Sequence, residues 1–584
     1  MDHHDCLVLE VEMIYKCILL LLLYLLIPAF AFATDGNQRQ ASELNIPIVV
    51  GFILFFVIAS IFITWWTSRS TKSASDFYVA GKGVPWAQVG IAMTGSYLSA
   101  ASFLGCPGDI GVFGIDSIWL SIGFFGGYMA VLLLIAGPLR NIGSYTVAGA
   151  LFSRFPDDRI KLVVMMCTVV ISTFYLVPQM LGAGLLFEML LKWNFVWVTI
   201  GLGVLMSVYI IFGGMKATLY NQVIQGLFLW GTMAILVTLA FFMVGNGSIY
   251  EILAIAEQTV PPLIAASDPA VVEAIKSLPA DQAIATAREM LPDVDTAMTI
   301  GVKTSSTLAM VSTVIALVFG TAGLPHILIM FFTVPSARAA KKSVALCIVG
   351  LGIFYLGAII LGFLLFPGIY PQLVTWISQG PVGVGLAKNM AVLEMSFTVG
   401  GTWLMAIGAA GAVAAILSTS AGLMITVASS VSHDLYKVYI NPNATEKQEL
   451  GIAKITTVLM STIAVSLAVL LKDQNIAWLV MLAFGIAASA IFPAMLATLW
   501  WKRATRQAII ASIVTGLAVS VVFIVLLFAK GPGFTLLGLP VGGGPGLFGV
   551  VASSLVLLMV TMLTSDTGRN AEEFLAQAHR PDSD

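Results

Sequence analysis

Ser418 and Thr419 stand side by side within residues 395 to 432, a stretch that contains no Asp, Glu, Lys, Arg or His, and Ala415 lies one helical turn before them. In lipid, two hydroxyls on a helix face beside a small residue can complete an oxygen cage for a small hard cation, because no water competes there. A second reading stays open. Ser and Thr in membrane helices also hydrogen-bond their own backbone or mediate helix packing.

The elements that would position this pair follow from composition. Of 584 residues, 59% are hydrophobic and 10% charged, where a soluble domain carries about 25% charged residues, so the chain reads as an all-α polytopic membrane protein. The net charge of −2 and the lack of a basic run give no reason to expect nucleic acid. Five cysteines lie singly in apolar sequence without a CxxC pair, and five histidines are scattered. Neither set has metal-ligand spacing. No nucleophile, base and orienter occur at catalytic spacing and no phosphate loop is present, so an enzyme is not expected.

Residues 1–33 read as a signal peptide. Lys16 precedes the apolar run Cys17 to Ile27, and Ala31-Phe32-Ala33 precedes a cleavage point before Thr34. An uncleaved extra helix is the other reading. Thirteen apolar windows then reach spanning length: 46–67, 86–111, 117–139, 162–190, 195–214, 218–244, 305–333, 343–366, 396–430, 452–471, 476–501, 507–529 and 546–564. With the mature N-terminus outside, nineteen Lys and Arg fall in inside segments and eight in outside ones. That bias predicts N-out, C-in topology, with a cytoplasmic tail over 565–584. The segment 245–303 is then an outer loop, whose acidic residues and prolines predict short amphipathic helices.

No carboxylate falls mid-span in any window; Asp109, Glu188 and Glu394 lie near outer ends. A cation site would therefore be built from neutral oxygens, which suits sodium better than a proton, and His326 is the one candidate intramembrane relay. Two windows look broken. Residues 94–108 and 320–326 each place Gly and Pro inside a spanning helix, in the second and seventh spans. Two discontinuous helices five spans apart are the pattern of a five-plus-five inverted repeat whose unwound backbone lines a mid-membrane site.

At these residues the chain resembles the sodium:solute symporter family, most closely its acetate or short monocarboxylate permease branch. The resemblance is carried by Asp76-Phe-Tyr-Val-Ala-Gly-Lys82, Ser96-Tyr-Leu-Ser-Ala-Ala-Ser-Phe-Leu-Gly105, Phe212-Gly-Gly-Met-Lys-Ala-Thr218, Gly320-Thr-Ala-Gly-Leu-Pro-His-Ile-Leu328, Ser432-His-Asp-Leu-Tyr436 and Asn475-Ile-Ala-Trp478. It covers about residues 45 to 505. The resemblance implies a first span at 46–67, an inverted-repeat transport core over 86–501, two C-terminal spans within 507–564 and alternating access. It also implies sodium as coupling ion with no other cofactor, and a sodium site formed by backbone carbonyls of Gly95 and Leu98, the carbonyl of Ala415 and the hydroxyls of Ser418 and Thr419.

The carried solute is expected to be acetate or another small monocarboxylate, moved into the cell across a bacterial inner membrane. Ser99, Ser102 and Thr321 are its candidate contacts, with Tyr97 and Gln179. No Arg or Lys lies mid-membrane to clamp a carboxylate, and a co-bound cation would supply the missing charge. His326 has two readings, a donor to the carboxylate or a tie between its half-helix and a neighbour. His433 and Asp434 are expected at the end of the ninth span as gate contacts.

The chain departs from the family pattern at two places. Met330 replaces a common Arg, whose anchoring role is assigned to Arg338. Tyr220-Asn221-Gln222 stands where many relatives have Trp-Thr-Asp, so no role of that Asp carries over. Unlike some acetate permeases, the chain keeps the Ser-Thr pair, which favours sodium coupling. Proton coupling, another solute such as an amino acid, and a nutrient sensor or channel-like module are the alternatives. Nothing in the chain specifies a small membrane subunit.

Overall fold

Long apolar sequence with few ionised residues leaves the backbone one economical way to satisfy its own polar groups in a bilayer, the α-helix. The computed structural model of the protein is accordingly helical. The structure describes residues 45–69, 73–300, 307–472, 474, 476–530, 535–536, 539–540 and 545–581. The signal-peptide segment 1–33 lies outside the described residues.

The first helix, α1 (Ile46–Ser68), buries Val49, Ile53, Phe56, Ser60, Thr64 and Thr67 along one face. Leu54, Phe55, Ile58, Ile61 and Phe62 on the other face are exposed, the pattern of a helix at the lipid edge of a bundle. The second span is discontinuous: α2 (Trp86–Tyr97) and α3 (Cys106–Phe113) are separated by an extended Leu98 and a π turn over Ala101–Gly105. α4 (Ile118–Ala130), α5 (Asp158–Leu191) and α6 (Phe195–Met243) follow. The seventh span is broken too, into α7 (Thr307–Gly323) and α8 (Pro325–Leu328). Then come α9 (Ala337–Ile377), α10 (Pro381–Ser429), α11 (Glu446–Leu470), α12 (Ile476–Ala490), α13 (Phe492–Trp500), α14 (Arg506–Lys530), α15 (Gly546–Leu563) and the terminal α16 (Ala571–Ala578).

Among the described residues, eleven helical runs are long and apolar enough to cross a membrane, against thirteen windows in the sequence. The difference lies in where runs are divided. The windows 195–214 and 218–244 share α6, whose 49 residues would reach about 74 Å if straight, more than twice a hydrocarbon core of about 30 Å. The chain changes direction inside it at Gly214, which has φ 58° and ψ −161°, a conformation open to glycine alone. The third window shares the run Ala101–Ile142 with the second half of the broken second span.

The most buried of these helices is α10, whose apolar spanning window is wholly inside the protein. It packs against α1, α2, α3, α5, α6, α9 and α11. Around it, α7 lies along α4 and α12. The loop after α6 folds as four short helices, Ile249–Gln258, Pro262–Ala265, Pro269–Ile275 and Ala280–Met290. It docks onto the bundle through Ile115 N–H to the Ala297 carbonyl at 2.8 Å and the Tyr370 hydroxyl to the Val260 carbonyl at 2.9 Å.

Candidate functional site

The two helix breaks have local causes. Proline disfavours α geometry in the residue before it, and Leu324, just before Pro325, is extended with ψ 114°. In the second span, Leu98 is extended with ψ 93°, and the chain regains helical turns only when Ser102 and Phe103 donate their N–H groups to the Ser99 carbonyl, each at 3.0 Å. The breaks face one another. The Tyr97 hydroxyl lies 2.6 Å from the Thr321 hydroxyl and donates to the Phe124 carbonyl at 3.0 Å.

Close helix approach places α6 against α2 at the first break, and α10 packs on both. Gly95 and Gly226 pack main chain to main chain, and a β-carbon on Gly95 would come within 2.9 Å of the Gly226 α-carbon. At that level the Ser418 hydroxyl donates across to the Gly95 carbonyl at 2.8 Å and is also 3.0 Å from the Ala415 carbonyl in its own helix. The neighbouring Thr419 hydroxyl donates to the Ser96 carbonyl at 2.8 Å. Gly95, Ala415, Ser418 and Thr419 therefore meet, and all the oxygens that meet are neutral. Leu98 is buried at the break itself, but Thr419 is held by Ser96 rather than by Leu98. Both chemical readings of the pair leave a trace here: Ser418 back-bonds within its helix, and both hydroxyls reach across to another.

The five candidate solute contacts fall into two groups. Three are already engaged with protein: Tyr97 with Thr321, and Ser102 with the Tyr355 hydroxyl at 2.8 Å. Ser99 neighbours the Tyr175 hydroxyl. Gln179 accepts weakly from Ala100 N–H at 3.4 Å, while its amide nitrogen is buried without a hydrogen-bond partner among the described residues.

Sequence reasoning passed over Ser96 and Gln222. Gln222 donates its amide nitrogen to the Ser418 carbonyl at 3.0 Å, and a hydroxyl adjacent to Gly95 was a visible signal for Ser96. His326, left with two readings by the sequence, packs its ring edge-on to Tyr175 of α5 with centroids 5.6 Å apart, and both its ring nitrogens are buried without partners among the described residues. Arg140 ties down the end of the seventh span at two carbonyls, donating to Val334 at 2.5 Å and Pro335 at 2.9 Å.

At the far end of α10 the chain continues as a π turn over Ser430–Ile440 and is tied down. Ser432 and the Tyr78 hydroxyl are 2.8 Å apart, Thr146 donates to buried Asp434 at 3.0 Å, and Glu449 holds both His433 at 2.9 Å and Lys437 at 2.8 Å. His433 and Asp434 thus connect α10 to α11 and to the segment before Val147–Arg154.

A family model described as the sodium:solute symporter family matches residues 77–516. The chain is 37% identical over 489 residues to a monocarboxylic acid transporter of Corynebacterium glutamicum, covering 83% of each chain. It is 34% identical over 536 residues to the uncharacterized symporter YwcA of Bacillus subtilis, covering 90% of this chain and 96% of that one. Among solved structures, a substrate-bound outward-open Na+-coupled sialic acid symporter superposes with a TM-score of 0.65 at 16% identity, over 89% of this chain and 98% of that one.

Proposed function

Because the chain belongs to the sodium:solute symporter family, we propose that it carries acetate, or another small monocarboxylate, into the cell together with sodium by alternating access. It is a multi-pass membrane transporter and not an enzyme. The observation that carries the sodium assignment is the meeting of the Ser418 hydroxyl with the Gly95 and Ala415 carbonyls, beside Thr419 and the Ser96 carbonyl, at the break of α2. A hydroxyl can turn its proton away and offer a lone pair, so Gly95, Leu98, Ala415, Ser418 and Thr419 would coordinate the ion through oxygen alone, as a small hard cation requires. The monocarboxylate assignment is supported by the corynebacterial relative's name and by the buried hydroxyl donors Ser96, Ser99, Ser102 and Thr321 at the two breaks. The N-terminus lies outside and the C-terminus in the cytoplasm in this reading.

Labelled acetate uptake by proteoliposomes tests it. Uptake should follow an inward sodium gradient, and full-rate uptake on a proton gradient without sodium would defeat the cation assignment. Ser418→Ala and Thr419→Ala should each raise the half-saturating sodium concentration about tenfold or more, the loss expected for one good contact to a charge, with membrane expression retained.

A further inference from the structure

Three polar side chains from three separate elements converge on a bare point of α10 one turn beyond Ser418. A β-carbon placed on Gly422 would be 2.9 Å from the Ser96 hydroxyl, 3.1 Å from the Gln222 amide nitrogen and 3.5 Å from the His326 ring. Ser96 and His326 are each at most 1% exposed, and the Ser96 hydroxyl and both His326 nitrogens have no partner among the described residues. Buried polar groups are ordinarily paired, and leaving several unpaired in one place is costly. A ligand that completes them explains their retention.

We propose that this corner is the seat of the substrate's carboxylate, with His326, Ser96 and Gln222 as its donors, brought to one point because Gly422 carries no side chain to hold them apart. This rests on the monocarboxylate reading above and names the residues that read the anionic end. Neutral imidazole supplies one N–H, serine one O–H, and the glutamine amide a second hydrogen beyond the one given to the Ser418 carbonyl. None of the three adds charge, so the positive partner of the carboxylate is the co-bound cation.

The geometry also joins the two sites. Ser96 offers its carbonyl to Thr419 and its hydroxyl to the corner, while Gln222 binds the Ser418 carbonyl and faces the corner with the same amide group. Seating either ligand orders residues that the other uses, and such coupling is reciprocal by linkage. In the present arrangement the corner is narrower than a methyl group, so a carboxylate enters when α8 moves away from α10. The extended Leu324 between α7 and α8 is the hinge for that movement.

The test uses full-length protein in proteoliposomes with labelled acetate, together with thermal melting of the purified protein in sodium alone and in sodium with acetate. His326→Phe should raise the acetate KM about tenfold, keep the stabilisation by sodium alone, and lose the added stabilisation by acetate. His326→Gln, which keeps an N–H donor, should recover most of the affinity. Ser96→Ala removes a hydroxyl that holds nothing in the protein, so it should fold normally and still raise the acetate KM about fivefold. Wild-type acetate KM in His326→Phe and Ser96→Ala would overturn the seat. So would equal loss of the sodium and acetate responses in His326→Phe and His326→Gln, which marks a structural role. Failure of the wild type to take up acetate would be seen before any variant is made, and it would overturn the transport reading and the seat with it.

Discussion

Ser418 shows what a residue type can and cannot disclose. The hydroxyl pair was visible in sequence because it interrupts a stretch without ionised groups, but its partner across the helix interface was not, since Gly95 lies 323 residues away. That contact depends on backbone approach, which no side chain announces except by absence. Gly95→Ala would press a methyl against the Gly226 main chain and should cost about 1–3 kcal/mol as an overpacked core position. The thermal midpoint should fall, and because α2 is pushed from α6 and the Gly95 carbonyl that meets Ser418 moves with it, the half-saturating sodium concentration should rise as well. Ser96 and Gln222 were missed for a related reason. Their polar atoms are informative only once three elements are seen to converge on Gly422, and a glycine in a membrane helix is too common to flag a site.

Helices were legible where proline or glycine forces the backbone. The sequence placed the break of the seventh span within residues 320–326, and the structure puts it at Leu324, just before Pro325, where proline disfavours α geometry. The break at Leu98 has no proline of its own and was located only approximately, within residues 94–108. If the α7–α8 break is a moving part, Pro325→Ala should restrain it. The variant regains an N–H that can bond the carbonyl four residues back, an advantage for the unbroken helix of about 1 kcal/mol. Acetate uptake should then slow about fivefold with the thermal midpoint unchanged or raised, and unchanged uptake kinetics would show that the break does not work as a hinge. The count of spans was less legible than their positions, because a window of apolar residues does not say whether the chain turns back, as at Gly214, or runs on. Arg140, on another element, was not foreseen as a tie to the Val334 and Pro335 carbonyls.

At the scale of the molecule, the ends of α10 are held by different chemistry. Near its start Lys388 pairs with buried Asp109 at 3.4 Å, and beyond its end the Tyr78–Ser432 and Asp434–Thr146 contacts close the opposite side. Arg154 fastens the end of α13 to the terminal helix α16. This fully buried guanidinium donates to the carbonyls of Ala497, Thr498, Trp501 and Lys502 at the end of α13, and it lies over the rings of Phe155 and Phe574. Arg154→Ala orphans several of those carbonyls and should lower stability by about 3 kcal/mol or more, read as a fall in the thermal midpoint of the purified protein. α16 should loosen with it, because the guanidinium no longer lies over the Phe574 ring.

The neutrality of the oxygens around Ser418 reaches beyond ion selectivity to the membrane voltage. A carrier whose site contributes no charge has only the charge of its cargo as it reorients. One sodium with one acetate makes the loaded form neutral, and the empty form is neutral as well. At that ratio a potassium diffusion potential set with valinomycin should leave uptake unchanged. With two sodium ions per acetate, an inside-negative potential should accelerate uptake, since a full charge crossing 100 mV is worth about 2.3 kcal/mol. The voltage response thus reads stoichiometry directly from a site that contains no charged side chain.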